Sequence, residues 1–163
     1  MMSTLPTTTR RRIEMQGYLG LHDQALAGID FGLRFGPAIC MIGALIGTVG
    51  TSPLLLVLLA VVAAAGIFLP TAPLDLLYNM TVRHLYKSDP LPATTQPRRF
   101  ACLMATLCLL AAAAGFWWGA PAVGYLFGGL MVGTPLILVS TGFCVPSFLY
   151  GLLFGKPSCP LVS

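Results

Sequence analysis

Two long stretches of this chain carry no formal charge, and nothing else in the sequence limits the fold as strongly. Phe35 to Leu74 contains no Asp, Glu, Lys or Arg, and neither does Phe100 to Gly155. All nine Lys and Arg lie in three flanking segments: Arg10, Arg11, Arg12 and Arg34; then Arg83, Lys87, Arg98 and Arg99; then Lys156. Only 9% of residues are charged and 56% are hydrophobic, against roughly 25% charged in a soluble domain. A chain of mean hydropathy +0.85 lacks the polar groups to cover its own surface. Lipid is therefore the expected solvent.

Each charge-free stretch exceeds the ~20 residues that cross a bilayer as a helix. Each also breaks near its middle, at Gly50-Thr51-Ser52-Pro53 and at Trp117-Trp118-Gly119-Ala120-Pro121. Gly-Pro clusters between apolar runs read as turns, so each stretch is expected to be a helical hairpin. Four spans follow, at about 33–49, 52–69, 100–117 and 123–143. Hydrocarbon tolerates no unpaired backbone, and no strand-like alternation of polarity occurs, so the spans should be helices. The expected fold is all-α and polytopic: four transmembrane helices as two parallel-repeat hairpins, plus an amphipathic interfacial helix on the cytoplasmic side. Arg34-Phe35 and Arg99-Phe100 open the two hairpins at matching places, and Gly50 and Gly119 mark the tips. Repeats in this orientation relate by an axis along the membrane normal.

With four spans, both termini and the central loop share one side, and that side holds every cation. The positive-inside rule puts it in the cytoplasm. The expected location is the bacterial inner (plasma) membrane, multi-pass, with residues 1–30 and 157–163 as cytoplasmic tails around a membrane domain at 31–156. The net charge of +4 favours anionic headgroups. No reading motif accompanies the cations, so nucleic acid is not an expected partner. Residues 1–27 lack the apolar core of a cleavable signal.

In the central loop, Pro73 suits a first helical position, and Asp75, Asn79, Arg83 and Lys87 recur every four residues. That period predicts an amphipathic helix at about 73–87 lying on the membrane face, followed by a Pro-rich linker at 88–97. Asp30 and Arg34 have the spacing of an ion pair on one helix. Arg83, Lys87, Arg98, Arg99, Trp117 and Trp118 are the expected interfacial anchors. Gly43, Gly47, Gly124 and Gly128 are expected helix-packing positions, because small residues four apart let backbones approach closely.

Candidate chemistry is sparse. His22 and His84 both lie outside the spans, so a buried tetrapyrrole has no His ligand. No cofactor, metal site or catalytic set is expected. No carboxylate falls inside the spans, whereas ion-coupled transporters place an ionisable group there. Pro37 and Pro135 are expected to be tolerated kinks. Cys102 and Cys108 are six residues apart, about 1.7 helical turns, and share no face well. Together with Cys40 they read as small packing residues. Cys144, in Gly142-Phe143-Cys144-Val145-Pro146-Ser147, is the candidate redox thiol. A Cys-x-x-Cys pair would read as redox-active, but Ser147 occupies the second position. Cys159 in the tail is a conceivable partner only where geometry brings the two together.

Three segments together resemble the DUF4395 family of small bacterial integral membrane proteins, a domain of unknown function. These are Phe68-Leu69-Pro70 with Leu77-Tyr78-Asn79 and Arg83-His84-Leu85; Pro97-Arg98-Arg99-Phe100-Ala101; and Thr141 through Tyr150. The resemblance covers about 31–156 and implies four spans and a membrane location, but no activity. Some members are similar except for a second Cys where Ser147 stands, which weakens a dithiol mechanism in this chain.

Three functional readings follow. The leading expectation is a non-enzymatic scaffold or accessory subunit of a larger membrane complex, argued from small-residue helices and the lack of a buried ionisable group. The second is a thiol- or sulfur-handling protein using Cys144 with a thioredoxin-like or sulfurtransferase partner. The third is a small-molecule carrier with Thr106, Thr134, Ser140 and Thr141 as lining candidates.

Overall fold

The computed structural model describes residues 7–18, 23–82 and 91–155. Arg83, His84, Lys87, His22, Lys156 and Cys159, with the expectations attached to them, lie outside the described residues. Among the described residues seven α-helices form: α1 Thr7–Met15, α2 Asp23–Val49, α3 Pro53–Phe68, α4 Pro73–Leu77 continuing into a π-helical turn Tyr78–Val82, α5 Gln96–Trp117, α6 Pro121–Thr141 and α7 Val145–Phe154. No strand occurs among the described residues. The protein is an all-α polytopic membrane protein. Segments Ile29–Val49, Gln96–Trp117 and Pro121–Thr141 are each long and apolar enough to cross a bilayer. A fourth crossing exists if Pro53–Phe68 and Pro73–Thr81, bent by 87° at their break, count together. By itself α3, with 16 residues, rises about 24 Å, short of the ~30 Å hydrocarbon core.

The breaks fall where the Gly-Pro clusters predict. Five helices take proline in their first turn: α3, α4, α5, α6 and α7. There the missing N–H would have had no helical acceptor anyway. Helix α3 packs on α5, α5 on α6, α6 on α2 and α2 on α3, closing a ring of four. Helix α7 lies mainly on α5, and α1 touches α2 and α7. The ring has a charged end, holding Arg12, Arg34 and Arg98, and an uncharged end at the two interhelical turns.

Two cores result. The first, towards the uncharged end, gathers Ala44, Leu56, Ala60, Ala63, Leu109, Ala112, Ala113 and Met131. The second, at the charged end, gathers Ile13, Tyr18, Ile29, Leu33, Tyr78 and Leu91. The four expected packing glycines all face neighbours within this chain. A methyl added at Gly43 would meet Leu59, at Gly47 Leu56, at Gly124 the Phe116 ring and at Gly128 the Thr48 side chain.

Several expectations change. Residues 7–18, part of the expected cytoplasmic tail, pack on the bundle. Helix α1 is docked by Ile13 and Tyr18, each 1% exposed, and Arg12 donates to the Thr141 carbonyl. Its mixed composition hid this, because a few apolar side chains suffice to dock a short helix on a bundle. Helix α2 starts ten residues or so earlier than its apolar run, at Asp23. The Asp30–Arg34 pair forms at 2.8 Å, and Arg34 also donates to the Val139 carbonyl at 3.0 Å.

The central helix is turned the other way from its expected polar stripe. Asp75 is 1% exposed while Leu76, Leu77 and Met80 face outward. The Asn79 amide bonds both backbone groups of Leu91, at 2.9 and 3.3 Å. These polar groups turn inward because partners there satisfy them, and the leucines take the lipid-facing side. Residues 91–95 are likewise no free spacer: Thr94 donates its N–H to Pro70 at 2.8 Å and accepts from Ala72. At the far end, α6 stops because Gly142 adopts φ 75°, a left-handed conformation that favours glycine. A side chain there would also press on Arg34.

Packing at Gly115 is tighter than at any exposed glycine, since an added methyl would sit 2.5 Å from the Gly124 backbone nitrogen. Gly115→Ala is expected to destabilise by about 1–3 kcal/mol through overpacking. Gly129→Ala, with nothing within 4 Å, should stay within about 0.5 kcal/mol. Thermal unfolding of both variants in detergent checks the pair; equal losses would contradict this packing.

Candidate functional site

Between the two cores lies a cavity of about 290 Å³ walled by α2, α3, α4, α5, α6 and the start of α7. Cysteines 40, 102, 108 and 144 all line it, and all four carry free thiols. Helix periodicity explains each wall. On α2, Gly36 and Cys40 stand one turn apart with Pro37 between them. On α5, Arg98, Ala101, Cys102, Ala105 and Cys108 form one broad face. On α6, Leu130, Met131, Thr134, Pro135 and Leu138 do the same. Cys102 and Cys108 are about 120° apart around α5. They share the cavity, against expectation, because it wraps a wide arc of that helix.

Proline lacks a donor for the carbonyl four residues back. Pro37 and Pro135 therefore remove the helical partners of the Leu33 and Met131 carbonyls. Both helices nevertheless continue through their prolines, and both prolines face the cavity.

Cys144 is the N-cap of α7, with extended backbone (φ −92°, ψ 104°). It is 8% exposed, and Ser147 is 2% exposed. The Ser147 hydroxyl donates to the Cys144 sulfur at 3.1 Å, so the residue in the second position of the motif orients the thiol. Helix α7 is pinned on α5 by the Phe100 ring, whose centroid lies 5.7 Å from Tyr150 and 6.3 Å from Phe154.

Sequence reasoning missed the charged part of this site. Arg98 is not an anchor at the headgroups; it turns inward and pairs with Asp75 at 2.9 Å. Their side chains are 11% and 1% exposed. Arg98 donates to Asp75 Oδ1 and to the Tyr18 hydroxyl, each at 3.1 Å. The other carboxylate oxygen, Oδ2, lies at the ion-pair distance yet accepts no aligned hydrogen bond. Gly36 makes room for this carboxylate, since a methyl there would stand 3.3 Å from Oδ1. Gly66 similarly admits Cys102, whose sulfur would lie 3.0 Å from an added methyl. Gln16 closes the charged end of the cavity, held by a hydrogen bond from Thr95 to its carbonyl.

A period of four assigned Asp75 to a solvated stripe, and the two adjacent arginines looked alike. The available signal was that Arg98 and Cys102 stand one turn apart on one face.

The other expected residues do not converge here. Arg99 does not line the cavity. Trp117 and Trp118, 72% and 81% exposed, point outward at the end of α5. Gly43, Gly47, Gly124 and Gly128 lie in the helix contacts described above. Of the four hydroxyl candidates only Thr134 lines the cavity. Thr106, Thr134, Ser140 and Thr141 each donate to the carbonyl four residues back. Among the described residues, no three His, Cys, Asp or Glu side chains gather closely enough to hold a metal ion. The four thiols are spread around a space instead of converging on a point.

Removing one partner of a buried ion pair leaves the other charge uncompensated, at a cost of about 3–5 kcal/mol. Asp75→Leu and Arg98→Met are each expected to lose stability on that scale. The double variant should regain most of it. Detergent-titration unfolding of the three proteins tests this, and a double variant as unstable as the sum of the singles would refute the pair.

No curated protein and no solved structure matches this chain. A family model described as DUF4395, domain of unknown function, matches residues 30–154, and the chain therefore belongs to the DUF4395 family.

Proposed function

We propose that this protein is a membrane-embedded thiol protein whose cavity accepts a small sulfur compound and passes sulfur through Cys144. The observation that carries this reading is the meeting of four cysteines, remote in sequence, around one 290 Å³ space. The scaffold reading loses one of its supports, since Asp75 and Arg98 are ionisable groups buried together inside the bundle.

The reaction class is sulfane-sulfur transfer, R–S–SH plus Cys144–SH giving R–SH plus Cys144–S–SH. One S–S bond breaks, one forms, and a proton moves to the leaving thiol; no external oxidant or reductant is required. Ser147 holds the accepting sulfur from one side. Cys102, on the face of α5 that lines the same space, is the neighbouring thiol to which the sulfur can pass. A soluble thioredoxin-like or sulfurtransferase protein would exchange sulfur at the charged end. The positive-inside rule assigns that end to the cytoplasm and the protein to a bacterial inner membrane.

Purified protein treated with glutathione persulfide is expected to gain one sulfur atom at Cys144, read by peptide mass spectrometry. Cys144→Ser should abolish that gain, and Ser147→Ala should slow it several-fold. A wild-type protein whose cavity cysteines all stay unmodified would refute the thiol reading and return the scaffold reading to the front.

A further inference from the structure

We infer that Arg98 is the anion anchor of the cavity, so that the sulfur compound it takes is one carrying a negatively charged group. This inference rests on the thiol reading of the same site and adds the charge of its substrate.

Among the described residues lining the cavity, Arg98 is the sole cation and Asp75 the sole anion. Asp75 is the deeper partner at 1% exposure, tucked against α2 at Gly36, and Arg98 is the less deeply buried at 11%. A guanidinium carries five N–H donors in a planar fork suited to carboxylate, sulfonate or phosphate oxygens. Its hydrogen bonds to Asp75 Oδ1 and Tyr18 use two of them. Asp75 Oδ2 accepts no aligned hydrogen bond, so the resident carboxylate does not occupy the guanidinium as a full two-bond fork and leaves N–H donors for an incoming oxyanion beside it.

The walls around this pair are almost wholly apolar. An anion entering such a space needs a fixed cation, because isolated charge in a low-dielectric site is costly. Arg98 supplies it. Cys102 lies one turn along the same face of α5, and Cys144 lines the same cavity. A compound anchored at Arg98 is therefore held in the space that these thiols face, as a small thiol-carboxylate or thiol-sulfonate persulfide would be.

Three methanethiosulfonate reagents test the charge preference on the full chain in detergent: sulfonatoethyl (anionic) and trimethylammonioethyl (cationic), which are of similar size, and the smaller methyl (neutral) as a test of access. Each transfers its S-alkyl group to a cysteine thiol and releases methanesulfinic acid, and mass spectrometry gives the rate at Cys102 and Cys144. The anionic reagent is expected to exceed the cationic one on the order of tenfold, equivalent to about 1.4 kcal/mol. Arg98→Gln should erase or reverse the preference, Arg98→Lys should keep its sign, and Asp75→Asn should increase it. Arg99→Gln, outside the lining, should leave it unchanged, which separates Arg98 from the general charge of that end. Equal rates, or a cationic preference, in the wild-type protein would overturn the anchor while leaving the thiol reading intact. Failure of even the neutral reagent at every cavity cysteine would overturn both.

Discussion

The Asp75–Arg98 ion pair is the constraint around which the charged end is organised. It ties α4, a helix too short to hold a position by itself, to the start of α5, and it presses α4 against α2 at Gly36. Short helices are marginal without tertiary contacts. The pair also recruits Tyr18, and so draws the segment after α1 into the same cluster. Loss of either charge would leave the other buried without compensation.

That cluster and the apolar core nearer the uncharged end meet at the cavity. Small residues dominate the far core: Ala44, Ala60, Ala63, Ala112 and Ala113 bring the four helices close. At the charged end the helices are held by Arg34 on the Val139 carbonyl and Arg98 on Asp75, and by the bulk of Tyr78. Between these two kinds of packing, the space beside Pro37 and Pro135 stays unfilled. The thiols face that space. A fold read only as a bundle of apolar helices would not have placed four sulfur atoms on one wall.

Cys144 illustrates what a local motif can and cannot convey. Its place before Pro146 and three residues ahead of Ser147 already marked it as unlike the other cysteines. The hydrogen bond from Ser147 follows from N-cap geometry, in which the cap side chain and the residue three further on meet. The role of Cys102 and Cys108 had no such local signature. Their six-residue spacing argued against a shared site, and only the width of the cavity made them neighbours.

The charge-free stretches, the Gly-Pro breaks and the small-residue spacing determined the helical class, the hairpin turns and the positions where helices touch. These features are local, because backbone satisfaction in lipid and turn chemistry depend on residues near one another in the chain. The inward turn of Asp75 and Arg98, the docking of α1 and the gathering of four cysteines were decided by tertiary structure alone. Each depends on which distant group stands opposite: a carboxylate finds a guanidinium from another helix, and a thiol faces a gap left by proline. A one-dimensional period reports which side of a helix is polar. Whether that side meets water or a buried partner is settled only when the helices are assembled.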